Sequence, residues 1–304
     1  MSGVLLRGRG DEGQAEDPSR MVIRLFGPLQ VTRGSRTLEL GPPKQRALLA
    51  VLLLRPGMET GVDQLIESLW GGEYPAYAKN LVQKSVSGLR GLLAPVAGLG
   101  RGVLIEWSGG GYRLDVGDAE VDLYVYERLA ESGIAAARDG DVPKAAELLE
   151  RARTMSTGPL AEGLDGPMME RERLYRQERF LTDMEVLAEL QLELGRHRDV
   201  VPLLHYAVHK YPLRERFAWF LMLALHRSDR GNEALVVYAR HRTRVVEELG
   251  AEPGTSLREL HARLLLQDPQ LMVMSMLRES GGAAASRPPA PAPLPSPARR
   301  VSFG

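Results

Sequence analysis

Residues 77–95, YAKNLVQKSVSGLRGLLAP, carry side chains that can read and hold a nucleic acid. Laid out at about 100° per residue, Val82, Val86, Leu89 and Leu93 fall in an apolar stripe about 60° wide. Asn80, Gln83, Lys84, Ser87 and Gly91 fall on the opposite side, with Arg90 at its edge and Lys79 beside Asn80. Amide side chains can pair with base edges in a major groove, and Lys, Arg and Ser can hold phosphate oxygens. The plainer reading is an amphipathic surface helix. The run that follows allows the sharper one, and on this stretch alone the two readings weigh equally. Val103, Leu104 and Ile105 precede Gly109-Gly110-Gly111, and Tyr112 to Val116 come after, which is the pattern of a β-hairpin. Arg113 on its second strand joins the basic set. A polar-faced helix trailed by a hairpin is the winged form of helix-turn-helix.

Such a pair needs a scaffold, and the preceding residues supply one. Val22 to Val31 and Thr37 to Leu40 alternate enough for two short strands, with a turn at Thr32-Arg33-Gly34-Ser35. Gly41-Pro42-Pro43 ends the second strand and suits helix entry. Lys44 to Leu54 is then an apolar helix, stopped at Arg55-Pro56-Gly57. Thr60 and Asp63 have capping-box spacing before a second helix containing Leu65, Ile66, Leu69 and Trp70.

From Val121 onward nearly all the pattern is helical. Gly140, Gly195 and Asp229 are each followed at the same offsets by small or apolar residues: Ala145-Ala146 and Leu148-Leu149, Val200-Val201 and Leu203-Leu204, Ala234-Leu235 and Val237-Tyr238. The second and third of these turns are separated by the tetratricopeptide period of roughly 34 residues. The longer first interval implies an insertion around Gly158 to Pro167. Phe217, Phe220, Leu221, Leu223, Ala224 and Leu225 read as helix core. Arg171, Arg173, Arg176 and Arg179, interleaved with Glu170, Glu172 and Glu178, read as a solvated face held by pairs one turn apart.

The chain thus reads as mainly α: an arm at 1–20, a winged helix-turn-helix domain with small strands at 21–118, a tetratricopeptide-like domain at 119–267, and a Pro/Ala-rich tail at 268–304. The 304-residue chain has zero formal net charge, but residues 21–118 hold 11 basic against 8 acidic residues, and 119–267 hold 21 against 25. That places the mildly basic part under the nucleic-acid reading. The chain has no cysteine, which excludes disulfides and thiolate chemistry. No long apolar run suggests a membrane span, and residues 1–20 lack a secretory core, so a cytoplasmic, nucleoid-associated protein is expected. His205 and His209 lack a third metal ligand, and SGGGYR lacks the Lys-Ser/Thr of a phosphate loop. No nucleophile–base arrangement is evident, so no enzyme, cofactor or metal site is expected.

Several motifs together resemble the Streptomyces antibiotic regulatory protein family of transcriptional activators. They are LELGPPKQRALLAVLLL (38–54), DQLIESLWG (63–71), NLVQKSVSGLR (80–90), GYRLDV (111–116), VDLYVYERL (121–129) and the long string from HKYPLRERF to ELGAEPGTSLREL (209–260). The resemblance implies a response-regulator type winged helix followed by a bacterial transcriptional activation domain. It also implies binding to direct repeats in double-stranded DNA near a promoter's −35 region, recruitment of RNA polymerase holoenzyme, and activation of an antibiotic biosynthetic cluster. Gly88 and Gly91 stand where members usually carry a basic residue, Trp107-Ser108 where a Thr-Arg pair is usual, and Ala76-Tyr77 lack the usual Ser cap. Both glycines lie on the outward half of the helix, so neither is expected to pack against the scaffold. Their missing side chains either let the backbone lie unusually deep in the groove or weaken binding; weakened binding is the expectation, offset by tandem sites, self-association or bound polymerase. The alternative is a helical-repeat scaffold whose winged helix has lost autonomous DNA binding. A fragment cut at about residue 118 is expected to keep DNA contact and lose activation.

Overall fold

The computed structural model describes residues 21–94 and 101–273. The expected arm at 1–20 and all but residues 268–273 of the expected tail lie outside the described residues. Within them the chain forms two compact units, one of residues 21–124 with 157–173, the other of 125–156 with 174–273. Among the described residues no helix is long and apolar enough to cross a membrane.

The first unit begins with β1 (Met21–Arg24), β2 (Gln30–Arg33) and β3 (Arg36–Thr37). The stretch expected to be one strand from Val22 to Val31 is therefore two, folded back in antiparallel register with Met21 opposite Arg33 and Arg24 opposite Gln30. Gly27-Pro28 makes the reversal: Gly27 has φ 85°, and proline has no N–H for a ladder. The second expected strand is shorter, ending at Thr37. Helix α1 (Pro43–Leu53) starts on a proline and buries every residue from Ala47 to Leu53, the pattern of a helix enclosed on all sides. β4 (Thr60–Gly61) and α2 (Val62–Trp70) follow. The expected Thr60–Asp63 capping box does not form. Thr60 is fully buried in β4 opposite Tyr112, and Gly61 N–H donates instead to Gln64 Oε1 at 3.2 Å. Strand pairing outcompetes the local cap. Then come α3 (Ala78–Leu93), the hairpin β5 (Leu104–Ser108) and β6 (Gly111–Asp115), and β7 (Glu120–Val121). The strands form two sheets, ordered β3-β2-β1-β7 and β4-β6-β5.

Asp122 closes this unit. Its carboxylate accepts from the backbone N–H groups of Leu25 (2.8 and 3.0 Å), Phe26 (3.1 Å) and Leu123 (2.7 Å). Burial pushes the carboxyl upward, and the three donors oppose that shift. The expected insertion at 158–167 also belongs here. Ala161 N–H donates to Leu25 O at 2.6 Å, Glu162 N–H to Gly27 O at 2.8 Å, and Gly27 N–H to Pro159 O at 2.8 Å, so the loop acts as an edge to the turn after β1. Asp122→Ala strands three donors, at about 1–3 kcal/mol for each buried group left unsatisfied. We expect it to lower the first unit's stability by about 3 kcal/mol, read as a shifted urea midpoint, and Asp122→Asn to cost less.

The second unit is helical. The chain enters it within α4 (Asp122–Arg138) and continues through α5 (Val142–Met155), α6 (Pro167–Glu193), α7 (His197–Lys210), α8 (Glu215–His226), α9 (Gly231–Leu249) and α10 (Thr255–Leu265). Gly140, Gly195 and Asp229 occupy the left-handed region at φ 81°, 71° and 63°, so the aspartate fills the glycine position of the repeat. Ala145, Ala146, Val200, Val201 and Ala234 are buried just after these turns, and Phe217 and Phe220 are fully buried in the core. The expected solvated arginine face is not one. Arg173 donates to the carbonyls of Leu160 (2.8 Å), Ala161 (2.7 Å) and Leu164 (2.5 Å), pinning the loop of the first unit. In the second unit Arg176 pairs with Glu127, and Arg179, 8% exposed, lies 3.6 Å from both Glu127 and Glu131. These partners are distant in sequence, and spacing within one helix cannot reveal them.

Candidate nucleic-acid interface

Periodicity fixes which side of α3 is buried. Ala78, Val82, Val86, Leu89 and Leu93 are enclosed by the scaffold. Lys79, Asn80, Gln83, Lys84, Ser87, Gly88, Arg90 and Gly91 are exposed, so the structure brings the expected helix residues onto one outward face with no carboxylate among them. The end of the helix is held by Arg33, whose Nη2 donates to Leu92 O (3.3 Å) and Ala94 O (3.0 Å), a cation placed where the helix dipole favours one. At its start Tyr77 supplies no side-chain cap, in line with the missing Ser.

Arg90 does more than carry charge. Its Nε donates to Ile105 O at 2.6 Å, and its guanidinium lies over the Tyr112 ring at 5.8 Å. The side chain thus ties α3 to the hairpin. Helical periodicity places Arg90 on the outward face, but this partner is a backbone carbonyl to which no side-chain type in the sequence points. In the hairpin Leu104 pairs with Asp115 and Ser108 with Gly111, and the turn is Gly109-Gly110 rather than three glycines. Gly111 lies in β6, where a Cβ would stand 2.3 Å from Thr60 O. Alternation along the strands puts Ile105, Tyr112 and Leu114 on the buried side, with Trp107 directly opposite Tyr112. Glu106 and Arg113 point to the other side and pair at 2.8 Å. Glu106, then Asp115 and Glu59, hold the Arg113 guanidinium above its ordinary range. Arg113 therefore stays charged but is paired with Glu106, on the opposite side of the hairpin from Tyr112.

The two glycines of α3 differ. A Cβ at Gly91 would meet nothing within 4 Å. A Cβ at Gly88 would stand 2.9 Å from Gln45 Oε1 and 3.2 Å from Nε2, and that Nε2 donates to Leu40 O at 2.9 Å. The expectation that neither packs against the scaffold holds for Gly91 and fails for Gly88, because Gln45 reaches from α1 into the space the missing side chain leaves. Gly91→Arg should remove a helix penalty of about 1 kcal/mol. It should also steepen the dependence of log affinity for promoter duplex on log salt by about 0.9. Gly88→Arg must displace Gln45 and should gain less stability. Parallel thermal melts and salt titrations of the two single variants check this, and equal behaviour would contradict it.

Residues 36–114 match the family described as "Transcriptional regulatory protein, C terminal", and residues 121–265 match the "Bacterial transcriptional activator domain". The chain is 36% identical over 279 residues to the regulatory protein AfsR of Streptomyces coelicolor, covering 92% of this chain and 28% of AfsR. It therefore spans little more than a quarter of that relative's length. It is 31% identical over 256 residues to the regulatory protein DnrI of Streptomyces peucetius, covering 82% of this chain and 93% of DnrI. A solved structure of Mycobacterium tuberculosis EmbR in complex with a low affinity phosphopeptide superposes with a TM-score of 0.73 at 30% identity, covering 88% of this chain and 69% of that one.

Proposed function

The chain belongs to the Streptomyces antibiotic regulatory protein family of transcriptional activators, and from that premise we propose that it binds promoter DNA sequence-specifically and activates an antibiotic biosynthetic gene cluster. The observation that carries this reading is the outward face of α3, polar, basic and free of carboxylates. In this reading α3 lies in the major groove. Asn80 and Gln83 read base edges, and Lys79, Lys84 and Ser87 hold phosphates. Arg113 contributes least, because Glu106 already engages it. The targets are direct repeats near the −35 region, occupied by two copies of the chain. The helical unit, with its acidic balance, engages RNA polymerase holoenzyme rather than phosphate. The protein acts as a regulator rather than an enzyme, in the cytoplasm on the nucleoid.

Transcription with purified holoenzyme tests it. Templates carrying the upstream regions of neighbouring operons should give more run-off product when the full chain is added. Changing Asn80 and Gln83 together to alanine should relax the preference among templates more than it lowers total binding. Equal run-off with and without the chain on every template would refute the activator reading. The scaffold alternative is favoured by one observation, the low number of cations left on α3 by Gly88 and Gly91. It predicts no retardation of promoter duplex at low or moderate salt, yet activation once polymerase is present.

A further inference from the structure

Trp107 is a large apolar side chain left in solvent at the end of the hairpin. It is 56% exposed. Its ring is nevertheless held in place, edge-on to Tyr112 with centroids 5.0 Å apart and planes at 78°. Tyr112 is buried and carries the Arg90 guanidinium over its ring. Trp107, Tyr112 and Arg90 therefore form a continuous series from the hairpin to the outward side of α3. The two sides of the hairpin are electrostatically unlike. On the side of Glu106 the cations are already engaged, Arg113 with Glu106 at 2.8 Å and Arg101 with Asp115 at 3.2 Å, so that side offers phosphate little net positive charge. The Trp107 side carries no carboxylate on the strand positions Ile105, Trp107, Tyr112 and Leu114. A duplex lying against α3 thus meets the hairpin from the side on which Trp107 stands. The helix itself offers few cations there, since Gly91 has no side chain and Gly88 is backed by Gln45.

We propose that Trp107 is a DNA-contacting residue, packing its indole on the deoxyribose wall of the groove next to α3 and supplying an apolar, salt-independent part of the affinity. The inference rests on the DNA-binding reading of α3 given above. A sugar wall presents C–H groups, and an indole already fixed by Tyr112 covers them without losing much rotational freedom. The indole then adds affinity without releasing counterions, which separates it from any arginine in the same place.

The test uses the full chain with promoter duplex at several salt concentrations, as wild type, Trp107→Ala and Trp107→Phe. Trp107→Ala should lower affinity by about tenfold, a loss of the size expected for one aromatic contact. The slope of log affinity against log salt should stay unchanged, whereas loss of a phosphate contact would lower it by about 0.9. Trp107→Phe should keep most of the affinity and report the contact. Adding duplex should quench tryptophan emission in the wild type and not in Trp107→Phe, which retains Trp70 and Trp219. Wild-type affinity in a folded Trp107→Ala protein would overturn the inference and leave DNA binding by α3 standing. Unchanged DNA affinity with reduced polymerase-dependent transcription would assign Trp107 to a protein contact and overturn it as well. Failure of the wild type to bind any duplex would remove both this inference and the reading beneath it.

Discussion

A fragment ending at residue 118 is expected not to fold, and so to lose DNA binding by at least about a hundredfold. This reverses what the sequence suggests, where 118 looks like a domain edge. The cut removes β7, which pairs with β1, and Asp122, which satisfies three backbone donors. It also removes the 157–166 loop with its three backbone hydrogen bonds to residues 25–27, and Arg173, which holds the loop's carbonyls. Stranding the donors of Asp122 costs about 1–3 kcal/mol for each buried group, and each further hydrogen bond is worth about 1 kcal/mol. The sum reaches the whole stability of a small domain, about 5–15 kcal/mol. Circular dichroism melts and binding titrations of the fragment beside the full chain read the outcome. Cooperative unfolding with full-chain affinity would show that the distal segments are dispensable.

Arg90→Ala should lower affinity for promoter duplex by at least about tenfold, the effect of an arginine contact worth about 1–3 kcal/mol. The geometry adds a second route to the same loss. Without the Nε–H bond to Ile105 O and the guanidinium over Tyr112, α3 loses its polar tie to the hairpin. Arg90→Lys separates the two roles. A lysine keeps the charge but lacks the planar fork that can donate sideways to a carbonyl while lying on a ring. If Arg90 positions the hairpin, Arg90→Lys should recover the salt slope and little of the affinity. Full recovery by lysine would reduce Arg90 to a phosphate contact.

What the sequence disclosed and what it hid divide along physical lines. The buried stripe of α3 and the turns at Gly140, Gly195 and Asp229 were legible because a helical period and a left-handed turn are local properties. The break at Gly27-Pro28 was missed because the residues on both sides alternate as one strand would. The Thr60 cap is absent because Thr60 is a strand residue, opposite Tyr112 far along the chain. Arg173, Arg176 and Arg179 looked solvated since their partners, the 160–164 carbonyls and the acids of α4, lie outside the helix that carries them. Gly88 seemed as free as Gly91 because only the fold reveals Gln45 beneath it. At the candidate site, side-chain placement on α3 was readable. The pairing of Arg113 with Glu106 and the tie from Arg90 to Ile105 were not, since both depend on how the hairpin folds back.

In the function proposed above, the outward face of α3 reads promoter DNA. This reading is tested most directly by electrophoretic retardation of upstream-region duplexes with the full chain, at low and moderate salt, beside a variant carrying Asn80→Ala, Gln83→Ala and Lys84→Ala. All three residues are exposed, so the changes leave the buried stripe intact. The expected result is a retarded complex that unlabelled promoter duplex competes away and random duplex does not, weakened at moderate salt, and no specific complex with the variant. A specific complex of equal affinity formed by the variant would contradict it.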